Sequence, residues 1–201
     1  HQPAWQIVGR YGDYESAVAD ARRWRRLAGV LRNKSRRIFV IEHLLLRGTR
    51  APRADDEAAG FGYGLTATAV VCLPGREAEF REGVRRAIAY AEVLGNENIN
   101  CISGKAPPGA DPAELRATLV ANLRYAAAEL AIAGRTLLVE PVNTVDAPGF
   151  VVPTPTEVAA LLVETGARNA GLQYDIYHAA MMGDDPVEGL ARFAPVIRHV
   201  Q

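Results

Sequence analysis

Helix and strand patterns alternate along the chain from residue 74 to its end, with connections of only a few residues. Apolar residues recur at helical spacing in four segments, and a short β-prone run follows each of them, which gives the order αβαβαβαβ. Strands that alternate with helices form right-handed βαβ crossovers, so we expect one parallel sheet. Because the sequence contains no glycine-rich nucleotide-binding motif, the pattern favours an α/β barrel over an open nucleotide-binding sheet.

Start and stop signals locate these elements more closely. The first helix carries apolar residues from Phe80 to Leu94 and is expected to stop at Gly95. Each later helix begins with a capping Asp or Thr, then a Pro, then a Glu two residues further on. This start signal occurs at residues 111–114, 154–157 and 185–188. The predicted strands are residues 99–103, 137–140, 171–177 and 196–201.

Four such units are too few to close a barrel. A (β/α)8 TIM barrel needs about 250 residues, and this chain has 201. We therefore predict an incomplete TIM barrel, in which strand eight at least would lie beyond Gln201.

Composition limits the classes of function. The formal net charge is zero and 49% of the residues are apolar, so no nucleic-acid or membrane partner is expected from the chain as a whole. The only cysteines, Cys72 and Cys101, have neither metal-type nor disulfide-framework spacing. No apolar run is long enough to span a membrane, and no signal peptide is recognisable. A cytoplasmic location is the expectation.

One segment departs from this neutrality. Residues 21–53 contain eleven Lys or Arg against a single acid, Glu42, and they include a predicted helix at 15–31 and a predicted strand at 37–43. Such a segment can bind phosphates, since phosphate contacts dominate nucleic-acid affinity. The ordinary interpretation, a solvated helix face, is favoured, and a non-catalytic module that binds polyanions is the alternative.

Three successive predicted strands end on polar side chains. The first ends at Glu140, the second gives Asp175 and then His178, and the third gives His199 and Gln201, which share one side of a strand. Any one of these residues could simply cap a helix, but all of them gather at one face of a parallel barrel. Two carboxylates, an amide oxygen and an imidazole suit a divalent cation such as Mg²⁺, Mn²⁺ or Co²⁺.

The wording around these residues resembles the hydroxypyruvate isomerase family, which belongs to the xylose isomerase-like TIM barrels. The resemblance covers about residues 72–201, and it implies that these residues form βα units that end near strand seven. The family's usual strand motifs are not found in residues 1–71, which are predicted to be a divergent N-terminal segment of unassigned structure. The segments that carry it are Leu-Leu-Val-Glu-Pro-Val-Asn-Thr (137–144), Pro-Gly-Phe (148–150), Leu-Gln-Tyr-Asp-Ile-Tyr-His (172–178) and His-Val-Gln (199–201).

The resemblance implies a role for each matching residue. Glu140, Asp175 and Gln201 would bind the divalent metal, Glu140 would also act as one of two acid/base carboxylates, and His178 would contact a substrate oxygen. The second catalytic Glu of the family follows strand eight, beyond Gln201, so this chain alone is expected to be inactive. The implied reaction interconverts hydroxypyruvate and tartronate semialdehyde through a metal-stabilised enediolate.

Several alternatives stay open at this point. Another sugar or 2-oxo acid isomerase or epimerase on the same barrel is the nearest, although Gln201 favours the hydroxypyruvate group. An abasic-site endonuclease of this superfamily would need more His and Glu ligands than the sequence offers. Asn143 and Asp146, in the loop after Glu140, could contact a small hydroxy-oxo acid substrate. The assembly state, a homo-oligomer included, is not fixed by the sequence.

Overall fold

A four-stranded parallel sheet is the centre of the computed structural model, which describes residues 70–201. The strands lie in chain order, and each pairs in parallel with the next. They are β1 (Asn98–Ile102), β2 (Thr136–Glu140), β3 (Ala170–Tyr174) and β4 (Ile197–Val200). The predicted α/β class with a parallel sheet is therefore confirmed. The helix and strand predicted at 15–31 and 37–43, and the basic segment 21–53, lie outside the described residues.

Helices precede or connect the strands, and three of them begin where the start signals placed them. They are α1 (Glu77–Leu94), α2 (Pro112–Ile132), α3 (Pro155–Thr165), α4 (Ile176–Met181) and α5 (Pro186–Phe193), and a short 3-10 turn, Val70–Cys72, precedes them. Asp111 caps α2 by accepting from the Ala113 N–H, and Thr154 forms a full capping box with Glu157 at the start of α3. No helix in the part of the chain described here is long and apolar enough to cross a membrane.

The two faces of the sheet have different chemistry. Alternate strand residues such as Leu137, Val139 and Leu172 pack with the helices in one continuous apolar core, in which α2 contributes Leu119 and Leu123. Successive side chains point to opposite faces. The residues between them therefore face the other way, toward what is the interior in a barrel.

An irregularity in β4 decides which of its residues face the interior. Leu172 pairs with Ile197, whereas the next residue of β3, Gln173, pairs with His199. One extra residue, Arg198, is thus inserted in β4. A one-residue shift exchanges the two faces of a strand, so His199 and Gln201 take the interior side together with Gln173.

Gly171 makes room for this irregularity. A Cβ built on Gly171 would lie 2.1 Å from Arg198 Cγ, 2.9 Å from Arg198 Cβ and 3.0 Å from the Val196 carbonyl oxygen. Since two of these three atoms are backbone or adjacent to it, they cannot move away cheaply. Only glycine fits opposite the inserted residue.

We expect the substitution Gly171→Ala to destabilise the fold by about 1–3 kcal/mol, the usual range for forced overpacking. The added methyl must push β4 away from β3, because the nearest atoms belong to the paired strand. Urea-induced unfolding monitored by circular dichroism measures the change. A midpoint equal to that of the wild type would show that β4 accommodates the methyl without strain.

The end of β3 differs from the sequence prediction. The predicted strand 171–177 is wrong at its end: β3 stops at Tyr174, and Asp175 caps the unpredicted helix α4 by accepting from the His178 N–H at 3.0 Å. The apolar and aromatic residues Ile176 and Tyr177 favour a strand by composition. A local Asp cap overrides that preference because it satisfies a backbone donor at the first turn.

Candidate active site

Three potential ligands meet at the carboxyl ends of β2 and β3. Glu140 is the last residue of β2 and Asp175 follows β3, and both are buried, with 5% and 7% of their surface exposed. One ligand atom from each of Glu140, Asp175 and His178 lies within 4.8 Å of the other two. The structure thus brings together residues that are 35 and 38 positions apart from Glu140 in the chain.

This donor set fits a divalent cation. Two carboxylates that are buried at such short range repel each other, and a cation between them offsets both the repulsion and the loss of solvation. Carboxylate oxygens with an imidazole are suitable ligands for Mg²⁺, Mn²⁺ or Co²⁺, and they do not select one of these ions. Glu140 and Asp175 are the residues that would hold the ion most directly.

The cap of α4 fixes the orientation of Asp175. Its Oδ1 accepts from the His178 N–H, so the first turn of the helix holds the carboxylate at the carboxyl end of β3. The same turn brings a ring nitrogen of His178 within 4.8 Å of a carboxylate oxygen of both Asp175 and Glu140. Asp175 therefore has a structural role as a cap beside any role as a ligand.

Gln201 continues the pairing of β4 with β3 beyond the last assigned strand residue. Its N–H donates to the Tyr174 carbonyl at 3.0 Å, and its carbonyl accepts from the Ile176 N–H at 3.0 Å. These two bonds place Gln201 directly beside Asp175. Its side-chain Oε1 accepts from Gln173 Nε2 at 2.7 Å, and the same nitrogen donates to Glu140 Oε2 at 3.0 Å.

The hydrogen bonds around His178 determine which nitrogen of its ring carries the proton. The Asp146 N–H donates to Asn143 Oδ1 at 2.8 Å, which fixes the amide so that Asn143 Nδ2 faces His178 Nδ1 at 2.7 Å. Nδ1 must then accept, and the ring carries its proton on Nε2. An Nε2–H group donates a hydrogen bond to an oxygen, so this arrangement favours a substrate contact over metal ligation for His178.

Asn143 and Asp146 support this histidine. Asn143 is fully buried, and its amide bonds to both His178 and Asp146. The Tyr177 hydroxyl donates to Asp146 Oδ2, and this bond raises the pKa of Tyr177 above its usual value. The sequence indicated Asn143 and Asp146 as residues that could contact substrate; their bonds give Asn143 the role of orienting His178.

Two buried side-chain amides beside Glu140 were not predicted from the sequence. Asn100 Nδ2 and Gln173 Nε2 both donate to Glu140 Oε2, and these residues are only 6% and 2% exposed. The available signal was an amide inside an otherwise apolar run of a strand buried on both faces. Such a residue requires a polar partner on the interior side.

His199 and the two cysteines are further titratable groups near the sheet. His199 is partly buried next to Gln173, and burial lowers its pKa, so the ring is neutral at neutral pH. Burial raises the pKa of Cys72 to about 11 and that of Cys101 to about 12. Both thiols stay protonated, so neither is a thiolate nucleophile, and the two do not form a disulfide.

Comparison with known proteins identifies the family and several relatives of this chain. The profile of the xylose isomerase-like TIM barrel family matches residues 57–201. A hydroxypyruvate isomerase of Escherichia coli K12 is 44% identical over 132 residues, which are 66% of this chain and 51% of that protein. A 2-oxo-tetronate isomerase of Cupriavidus necator is 41% identical over 132 residues, with the same coverage of 66% and 51%. This chain spans about half the length of these relatives.

A solved structure gives the same result for the fold. The crystal structure of an AP endonuclease, family 2, from Brucella melitensis superposes with a TM-score of 0.65 at 33% identity, over 71% of this chain and 55% of that one. The predicted resemblance to hydroxypyruvate isomerases and the predicted barrel type are confirmed, with four of the strands in the described residues. The chain belongs to the xylose isomerase-like TIM barrel family.

Proposed function

We propose that the protein is an isomerase of a small hydroxy-oxo acid, which interconverts hydroxypyruvate and tartronate semialdehyde. The observation that carries this proposal is the convergence of Glu140, Asp175 and His178 within 4.8 Å at the carboxyl ends of the strands. Family membership and the 44% identity to a hydroxypyruvate isomerase support the choice of reaction. Glu140, Asp175 and Gln201 are the proposed metal ligands.

The reaction moves a carbonyl group between neighbouring carbons. A proton leaves the hydroxyl-bearing carbon, another is delivered to the former carbonyl carbon, and the two oxygens exchange hydroxyl and carbonyl character, so atoms and charge balance. A divalent cation, when bound, supplies polarisation of the substrate oxygens, which makes the carbon-bound proton more acidic. Glu140 is the group that takes or returns this proton, because its carboxylate is buried next to the place where the substrate would bind.

His178 has a separate task in this proposal. With its proton on Nε2, the ring donates a hydrogen bond to a substrate oxygen as negative charge develops there. Asn143 holds the ring in this tautomer through the 2.7 Å contact of its Nδ2 with Nδ1. A donor that is oriented in advance needs no rearrangement during the reaction.

An isomerase of a four-carbon 2-oxo acid is the second candidate. It is favoured by the Cupriavidus necator relative, a 2-oxo-tetronate isomerase that matches with 41% identity. The proposed chemistry of Glu140 and His178 is the same for both substrates. An abasic-site nuclease has less support, since residues 70–201 contain a single three-residue group of His, Cys, Asp or Glu that could hold a metal.

Turnover of the purified full-length protein tests the proposal. We expect interconversion of hydroxypyruvate and tartronate semialdehyde, loss of the activity on treatment with EDTA, and recovery on addition of Mg²⁺, Mn²⁺ or Co²⁺. Parallel assays with 2-oxo-tetronate rank the two substrates by kcat/KM. Faster turnover of the four-carbon acid would replace the first assignment by the second, and no turnover of either acid with any of the three ions would reject both.

A further inference from the structure

Gln173 is an almost fully buried polar side chain next to the candidate site. It lies in β3 on the interior side of the sheet and is 2% exposed. Its amide nitrogen donates to Glu140 Oε2 at 3.0 Å and to Gln201 Oε1 at 2.7 Å. One side chain therefore connects two of the three proposed metal ligands.

The orientation of this amide is unambiguous. Both neighbours of Nε2 are acceptors, one of them a carboxylate, so a flipped amide would place Oε1 against two oxygens. In the observed orientation Oε1 is buried without a hydrogen-bond partner among the described residues. A buried acceptor in this state is unfavourable. The two bonds that Nε2 donates to Glu140 and Gln201 therefore account for this orientation of the Gln173 amide.

Asn100 adds a second donor to the same carboxylate oxygen. Asn100 Nδ2 and Gln173 Nε2 approach Glu140 Oε2 from the two neighbouring strands, β1 and β3. Two donors on one oxygen restrict rotation of the carboxylate about its last torsion. Gln173 differs from Asn100 in that it also holds the Gln201 amide.

We propose that Gln173 is a positioning residue that aligns Glu140 with Gln201 as a pair of metal ligands. This inference rests on the proposed function, because it takes both residues as ligands. Each proton of the Gln173 amide is used on one ligand oxygen, so the separation of the two oxygens is set by a single rigid planar group. Residues that hydrogen-bond a metal ligand commonly change metal affinity about 10- to 100-fold when they are replaced.

Two substitutions of Gln173 test the proposal in the full-length protein. Gln173→Met keeps the volume and removes both donors, while Gln173→Asn keeps the amide and withdraws it by one methylene. Binding of Mn²⁺ is measured by electron paramagnetic resonance, together with kcat, KM and the melting temperature of the metal-free protein. We expect Mn²⁺ affinity to fall about 10- to 100-fold in both variants and kcat to fall more than KM rises.

Asn169 provides the matched control. It precedes the same strand at the opposite end, and its amide makes the same kind of double contact, to the Ala127 carbonyl at 2.8 Å and the Arg135 carbonyl at 3.2 Å. Asn169→Ala is expected to lower the melting temperature and leave Mn²⁺ affinity unchanged. If the Gln173 variants show only that pattern, Gln173 is purely structural and the inference is wrong.

The wild-type protein gives an independent measurement in case both variants fail to fold. The side-chain NH₂ resonances of Gln173, assigned by NMR, are expected to shift when Mg²⁺ is added, and those of Asn169 are not. Unchanged Gln173 resonances during saturating Mg²⁺ binding would overturn the inference alone. A wild-type protein that binds neither Mg²⁺ nor Mn²⁺ would instead overturn the proposed metal site.

Discussion

The substitution Glu140→Gln is expected to lower kcat by at least about 10²–10⁴-fold, the usual contribution of one acid/base group. Glutamine has the same shape as glutamate, but it cannot accept a proton from carbon at neutral pH. The fold should persist, because the new amide oxygen can still accept the bonds from Asn100 and Gln173 that Glu140 Oε2 accepts. Steady-state kinetics and a thermal melt of the same preparation measure the two effects.

Glu157→Gln is the matched control for this experiment. Glu157 is the third residue of α3 and completes the capping box with Thr154, a position where glutamine serves as well as glutamate. The control should therefore keep both its stability and its turnover. If Glu140→Gln turned over at the rate of this control, Glu140 would not be the proton-transfer group.

The positions of the helices were largely readable from the sequence because local signals specify them. Asp111, Thr154 and Asp185 each cap the helix that was predicted to begin there, and each is followed by a proline at the first helical position. These interactions span three residues, so they depend little on the rest of the fold. Gly95 ends α1 in the same local way, with a left-handed backbone at φ 69°.

Two features that the sequence did not reveal are the inserted residue in β4, which depends on contacts between strands, and the end of β3, where two local structures compete. The inserted residue in β4 becomes necessary only when Gly171 of β3 lies beside Arg198. The end of β3 depends on whether Asp175 caps a helix or continues the strand, and the neighbouring aromatic residues favour the strand. Hydrophobic periodicity describes one segment at a time, so it does not reveal the contact between Gly171 and Arg198 or the choice between cap and strand at Asp175.

In the candidate site, too, some features could be predicted from the sequence and others could not. Convergence of Glu140 and Asp175 follows from the parallel sheet, since both stand at carboxyl ends of adjacent strands. The roles of Asn100 and Gln173 do not follow, because a buried amide needs a partner and the sequence does not say which one. Their partner, Glu140, is 40 and 33 residues away from them in the chain.

Asp175→Asn is expected to abolish tight metal binding while leaving the metal-free fold intact. Asparagine caps a helix as well as aspartate does, so the bond from the His178 N–H to the side chain at position 175 is retained. The substitution removes one of the two buried carboxylates, and with it the main electrostatic attraction for a cation. The melting temperature of the metal-free variant should equal or exceed that of the wild type, because the repulsion between Glu140 and Asp175 is gone.

Two further variants distinguish the helix-capping role of Asp175 from its proposed role as a metal ligand. Asp175→Ala loses both roles and should be less stable than Asp175→Asn by about 1 kcal/mol without metal. Asp185→Asn changes only a cap, that of α5, and should keep the rise in melting temperature that Mn²⁺ gives the wild type by binding the folded state. Differential scanning calorimetry with and without Mn²⁺ reads all of these effects. An Asp175→Asn protein that is stabilised by Mn²⁺ as much as Asp185→Asn would show that Asp175 is a helix cap and not a ligand.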